Sequence, residues 1–493
     1  MNAAVLAAGA AGRLQLVGRA GVGVDNVDGA AAAAAGVVVM STPLGNSRSA
    51  AELAMAMMLA LARRTAEASA AVRAGQWGRS GKGMELRDKT LGIVGLGSIG
   101  QEVATLAQAL EMRVAAFDPT LTDERAAALG VHRATTLPRL LAASDVVTLH
   151  AKSGEAGPLL GAAELACLRP GALLVNTARG SLLDHAALFA ALQDGRVGGA
   201  ALDVYPSEPP ADELRPLLEH PNVLCSPHLG ASTAEAQTKV AVDIARQLCD
   251  VWDGKGYSGV TNAPHLALAS TKRGRPLAAL AQAVGSLVGQ TAPQGVDTVH
   301  VELHGAPWAP AGKDVDPAYG ELAVCASLTG LLAGGTSLVS APAAAEAAGV
   351  RAGAAPLAGD PEADLLAAAH GVVVRVTAKA PSGAQRSAAG ALARGGEARI
   401  VSLDGSGAAF PAFAPRHHVL VYANEDRPGV VSGVTAALGD AGLNIAQLNV
   451  VRQADGDALS CVVVDEPLDE AVADAVRGLA GVRAGSVLKA SFE

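Results

Sequence analysis

The stretch Thr90 to Asp118, TLGIVGLGSIGQEVATLAQALEMRVAAFD, constrains this chain more than any other. An apolar run (Leu91, Ile93, Val94) meets Gly95, Gly97 and Gly100. Beyond them Val103, Leu106, Ala107 and Leu110 recur at helical spacing. A second apolar run, Val114 to Phe117, ends on Asp118. The pattern predicts a strand, a tight turn, a helix and a strand, spaced G-x-G-x-x-G with an acid about 20 residues on. Gly95 permits the turn, Gly97 lets the backbone approach a pyrophosphate, and Gly100 lets the helix pack closely on the sheet. The helix N-terminus offers unpaired N–H groups and a partial positive charge to phosphates. Asp118 can accept both ribose hydroxyls and repels a 2′-phosphate. Pro119 and Thr120 follow it rather than an arginine, so the reading is NAD, not NADP. With 57 glycines in 493 residues the spacing alone is weak, and the strand–helix–strand context is what lifts it.

Strand and helix signals keep alternating downstream. Strands are expected at Val146 to His150, Leu173 to Asn176, Gly199 to Val204 and Val223 to Cys225, and helices at Ala186 to Leu192 and Ala234 to Trp252. Such alternation implies an α/β fold with a doubly wound parallel sheet, whose ligands collect at the carboxyl ends of the strands. Asp118, His150, Arg179, Asp203 and His228 all fall at those ends or just beyond. Upstream, Leu14 to Val17 and Val37 to Met40 read as strands. A methionine-rich helix follows STPLGN, filled by Leu53, Met55, Met57, Met58, Leu59 and Leu61. Thr271 to Pro415 is rich in Ala, Gly and Pro and holds strands at Val299 to Leu303, Val372 to Val376 and Arg399 to Leu403. His417 to Glu493 reads βαββαβ, a small α+β module with a DGD turn between its middle strands.

The length predicts several domains. A net charge of -9 argues against a general nucleic-acid or membrane-surface binder, so an anionic substrate needs a local basic pocket. Five scattered cysteines without C-x-x-C fit buried thiols in a reducing compartment, not disulfides or zinc. The longest apolar stretch, Leu53 to Ala62, is too short to span a bilayer. The Ala-rich, acid-free start of the chain superficially resembles a transit peptide. A patterned block begins at Arg13, so no cleaved segment is expected to extend past it.

Read along the strand ends, Arg179 in NTARG, Glu208 in DVYPSEPP and His228 in SPHLG form a set suited to oxidising a 2-hydroxy acid. Arginine's planar fork grips a carboxylate in two places and polarises the neighbouring oxygen. A histidine takes the hydroxyl proton, and a carboxylate on its other ring nitrogen fixes the tautomer.

GRAGVGVDNVD, NSRSAAEL, GLGSIG, NTARG, ALDVYPSEPP and SPHLGAST together resemble the D-isomer-specific 2-hydroxyacid dehydrogenases. Within them the chain is most similar to the long-form 3-phosphoglycerate dehydrogenases. That resemblance implies a Rossmann-type NAD domain (43–233) and a split flavodoxin-like substrate domain (1–42 and 234–262). It also implies an α+β intervening domain (271–415) and a ferredoxin-like ACT domain (417–493). It makes Arg179, Glu208 and His228 catalytic. It places Gly95, Gly97, Ser98, Ile99, Gly100, Asp118, Thr177, Asp203, Leu229, Gly230 and Ala231 around NAD, and Arg19, Asn46 and Arg179 around substrate. It implies oxidation of 3-phosphoglycerate at the head of serine biosynthesis, in a dimer or tetramer, with Asn424, Asp426 and Asn444 as regulatory positions for L-serine.

Three departures stand out: Val22 for a polar threonine, Ala151-Lys152 where relatives have Thr-Pro, and Asn424 for a histidine. Relatives also carry further residues before the Leu14 strand, so a truncated substrate domain is expected. The compartment is expected to be the cytoplasm, or a plastid stroma if a leader is missing. The alternatives are a non-catalytic NAD-binding regulatory subunit and a transcriptional corepressor. The ACT-like module argues against the corepressor.

Overall fold

The structure is a computed structural model. It describes residues 1–492 except 78–81, 153, 155–156, 306–316, 333–334, 355–371, 393–396, 405–409 and 453–455. Asp455 of the expected DGD turn therefore lies outside the described residues. The chain forms two compact units: Met1–Arg19, Gly23–Ser41 and Arg246–Glu493 in the first, Ala20–Val22 and Thr42–Ala245 in the second.

The first unit begins with two parallel strands, β1 (Leu16–Gly18) and β2 (Val38–Met40). Two alanine helices accompany them. Ala3–Ala11 is capped by the Asn2 side chain and Gly29–Ala34 by Asp28. Leu6, Ala32, Val37 and Val39 make their shared core. The chain returns alongside β2, where the Asn262 side chain takes the place of a neighbouring strand. Its Oδ1 accepts from Val39 N (2.9 Å) and its Nδ2 donates to Val37 O (2.8 Å).

The second unit is built on seven parallel strands: β3 (Thr90–Val94), β4 (Arg113–Phe117), β5 (His132–Arg133), β6 (Val146–Leu149), β7 (Ala172–Asn176), β8 (Val197–Leu202) and β9 (Val223–Cys225). Their order is β5-β4-β3-β6-β7-β8-β9, so the winding reverses between β3 and β6. Strand residues bury to both faces. Leu91, Ile93 and Val146 join one apolar cluster, while Val94, Val147 and Leu149 join the other. The doubly wound α/β sheet expected from the alternation is thus present. The helix Ser47–Arg63 buries Met55, Met57 and Met58 against the first cluster and stops where Arg64 turns left-handed (φ 54°). Leu59 does not fill that core as expected. It lies a helical step past the buried Met58 and is 40% exposed.

The rest of the first unit holds β10 (Thr298–His304), β11 (Arg351–Ala354), β12 (Val372–Lys379), β13 (Gln385–Leu392) and β14 (Ala398–Leu403) in the order β11-β10-β12-β13-β14. A second sheet, β15 (His417–Glu425), β16 (Ile445–Arg452), β17 (Asp457–Val464) and β18 (Leu488–Phe492), runs β16-β17-β15-β18, antiparallel. With the helices Val430–Asp440 and Glu470–Arg477 it makes the βαββαβ module. One sheet face packs Leu420, Tyr422, Val462 and Val464 against Val434, Leu438 and Val476. On the other, Val419, Val421, Cys461 and Val463 join the helix Gly274–Thr291 and Phe413 in a single core. Among the described residues no helix is long and apolar enough to cross a membrane.

Candidate active site

Three strand ends of the second unit converge. Beyond β7, Asn176 closes a turn, with Oδ1 accepting from Ala178 N (3.1 Å) and Nδ2 donating to Arg179 O (2.9 Å). Arg179 is half-buried there. A Cβ on the next residue, Gly180, would lie 2.0 Å from the carbonyl carbon of Tyr205. Only glycine lets the Arg179 turn pack against the loop that carries Glu208. Beyond β9, His228 adopts a left-handed backbone (φ 56°), uncommon for a side chain of its size. Its Nδ1 lies 2.6 Å from Glu208 Oε2, and Tyr205 N donates to the other carboxylate oxygen (3.3 Å). Among the described residues His228 Nε2 has no partner, and the side chain is 50% exposed. The pair therefore fixes one ring nitrogen and leaves the other open to a ligand.

Asp203, fully buried, ties this loop down. Its carboxylate accepts from Ser226 Oγ (2.6 Å), Leu229 N (2.8 Å) and Gly230 N (3.0 Å). Two of these bonds go to backbone amides and one to a side-chain hydroxyl, so its carboxylate holds the Ser226–Gly230 segment in place. Ala231 O in turn accepts from Gln237 Nε2 (3.0 Å).

At the winding reversal, Gly95 has φ 90°, and a Cβ there would meet Ala151 N at 2.7 Å. Gly100 lies so close to Gly95 that a Cβ would sit 2.3 Å from its carbonyl oxygen. Around Gly97, by contrast, a Cβ meets nothing within 4 Å. The helix Ser98–Ala109 starts there with no side-chain cap, so no capping side chain occupies its first N–H groups. Ser98 Oγ accepts from Ser47 Oγ (3.1 Å), and Ile99 packs on the apolar cluster beneath. Asp118 closes the turn, accepting from Leu96 N (2.9 Å), Thr120 N (2.9 Å) and Thr120 Oγ1 (2.7 Å). Burial alone would raise its carboxyl. The Thr120 hydroxyl and the N–H groups of Leu96 and Thr120 outweigh it and hold the group below the ordinary carboxylate value. Two buried oxygens, Thr177 Oγ1 and Asn46 Oδ1, have no partner among the described residues. Orphaned polar atoms beside an open glycine cradle fit a dinucleotide and a polar substrate.

His150, at the end of β6, is held by Thr148 Oγ1 (2.9 Å), and burial pushes it down to about 4. At that value the ring is neutral at working pH. Arg19 lies in the first unit, where its N–H donates to Met40 O (2.8 Å). Asn424, expected as a regulatory position, is engaged within its own module. It is 2% exposed, with Nδ2 on Glu425 O (2.9 Å) and Oδ1 accepting from Ser460 (2.8 Å), so a ligand meets no free amide. Asp426 is paired with Arg452 (2.7 Å) and Asn444 with Asp465 (2.6 Å). Tyr205 and Ser226 carry no sequence signal, since nothing in a one-dimensional pattern marks hydrogen bonds between segments about 20 residues apart.

Residues 55–230 match the profile of the D-isomer-specific 2-hydroxyacid dehydrogenase NAD-binding domain, and 417–481 that of the ACT domain. A D-3-phosphoglycerate dehydrogenase of Synechocystis is 36% identical over 488 residues, 97% of this chain and 84% of that protein. One of Methanocaldococcus jannaschii is 32% identical over 479 residues, 97% and 88% of the two. One of Archaeoglobus fulgidus is 35% identical over 482 residues, 96% and 87%. With the sheet, the glycine cradle and the Glu208–His228 pair in place, the chain belongs to the D-isomer-specific 2-hydroxyacid dehydrogenases, in their D-3-phosphoglycerate dehydrogenase branch.

Proposed function

We propose that this chain oxidises 3-phospho-D-glycerate to 3-phosphohydroxypyruvate, the entry into L-serine synthesis, with the residue roles that follow. NAD, when bound, supplies the hydride acceptor. Gly95, Gly97, Ser98, Ile99 and Gly100 would hold its pyrophosphate, Asp118 its ribose, and Thr177 with Leu229, Gly230 and Ala231 its nicotinamide end. Asp118 retains acceptor capacity beyond its three internal bonds. The Arg179 guanidinium grips the substrate carboxylate and polarises the C2 oxygen. Asn46 offers its orphaned oxygen to the substrate, and Arg19 is assigned to it by resemblance alone. His228 Nε2 takes the C2 hydroxyl proton, and Glu208 balances the charge that develops on the ring.

The observation that carries this reading is the 2.6 Å Glu208–His228 contact at a half-exposed imidazole. Its test is NADH formation from 3-phosphoglycerate by the purified chain, with His228→Ala as control. Loss of about 100-fold or more in turnover with NADH affinity retained supports it. Equal losses in both would make His228 structural.

The division into substrate, NAD, intervening and ACT domains is part of the same proposal, as is a homo-oligomer, dimer or tetramer. The helix Thr65–Arg73 buries none of its residues and Trp77 beyond it is 81% exposed, which supports a partner copy. A small regulatory ligand, L-serine by resemblance, would meet Asp426 and Asn444 rather than Asn424.

A further inference from the structure

Three active-site segments meet at Tyr205. Its backbone N–H holds Glu208 (3.3 Å), and its carbonyl packs on Gly180 beside Arg179. Its hydroxyl lies 3.1 Å from Leu202 O and 3.0 Å from Ser226 O. The first carbonyl ends β8, the strand that leads to Glu208. The second belongs to the residue two before His228. Ser226 N also donates to Leu202 O (3.0 Å), so the hydroxyl sits over the last rung between β8 and β9. The ring is 8% exposed and packed in the apolar cluster with Leu202 and Leu217. Burial raises the phenol well above its ordinary value, so the hydroxyl stays a donor at every working pH.

A left-handed histidine needs its surroundings to hold it. Asp203 fixes the residues after His228, and the Tyr205 hydroxyl fixes those before it. We propose that the Tyr205 hydroxyl is a positioning group for the reaction, setting His228 in register with Glu208 by sharing its one proton between Ser226 O and Leu202 O at the end of β8. This rests on Glu208–His228 being the acid/base pair. In this role Tyr205 acts through the pair rather than on the reacting atoms.

The test is Tyr205→Phe in the full chain, in two backgrounds: wild type and His228→Ala. In wild type, turnover of 3-phosphoglycerate falls about tenfold, while the KM for NAD and NADH affinity by fluorescence change less than about twofold. In the His228→Ala background the same substitution costs nothing further, because the group it positions is already gone. Turnover within about twofold of wild type would overturn the proposal, as would an equal fractional loss in both backgrounds. If His228→Ala alone leaves turnover intact, the acid/base reading fails instead. Should the phenylalanine variant not fold, Tyr205→Met keeps an adaptable apolar filling without the donor and must show the same split.

Discussion

Replacing Glu208 by glutamine keeps the shape of the side chain and an acceptor for His228 Nδ1, and removes only its charge. As His228 takes the substrate proton it becomes cationic, 2.6 Å from that carboxylate. Two unit charges about 4 Å apart attract by about 1 kcal/mol in bulk water and about 4 kcal/mol at an effective dielectric of about 20. The side chains are 50% and 38% exposed, so solvent screens the pair and a middle value of about 2 kcal/mol is appropriate. That predicts a fall in kcat of about 30-fold for Glu208→Gln. The assay is initial-rate NADH formation at saturating 3-phosphoglycerate and NAD, beside fluorescence titration with NADH. The dyad reasoning is refuted if kcat stays within about threefold of wild type, or if NADH affinity falls in step with it.

Arg179→Lys, which keeps the charge but loses the fork, lowers kcat/KM for 3-phosphoglycerate by about 100-fold or more with NADH affinity preserved; steady-state kinetics decide it. Gly97→Ala leaves the melting temperature unchanged and weakens NADH binding, because its Cβ enters only the open cradle. Gly100→Ala is destabilised by about 1–3 kcal/mol, because its Cβ meets the Gly95 carbonyl; thermal melts of the two variants separate the cases. Asp118 titrates below its ordinary 3.8 in the folded chain. Its stabilising contribution is therefore complete above that value and lost only as pH falls through the lower folded one. NADH affinity should be flat from about pH 8 down to about pH 5, and an Asp118-dependent loss within that range would contradict the assignment.

Much of the second unit was legible because glycine, strand and helix signals there agree. The strand ending at Val94, the helix opened by Ser98 and the helix Ala234–Trp252 follow from apolar spacing alone. The alanine-rich segments were not legible. Ala3–Ala11 has no polar face to set a period, and its position is fixed by one buried leucine, Leu6. β13 carries SAAGAL, poor in strand formers, and owes its place to cross-strand pairing. Its Gly390 also lets Leu280 and Val284 of the neighbouring helix approach. At the site, the chemical residues Arg179, Glu208 and His228 could be named from their types at successive strand ends. The groups that hold them could not. Asp203 reads as a ligand-facing acid but already accepts from two backbone amides and the Ser226 hydroxyl, and no spacing marks Tyr205, whose hydroxyl lies between two carbonyls.

The most direct measurement is the absorbance of NADH over time when the purified chain is given NAD and 3-phosphoglycerate, run beside His228→Ala. The account predicts steady, substrate-dependent NADH from the wild-type chain and about 100-fold less from the variant, with both binding NADH alike. NADH that binds to the wild-type chain while none forms at any substrate concentration would contradict it.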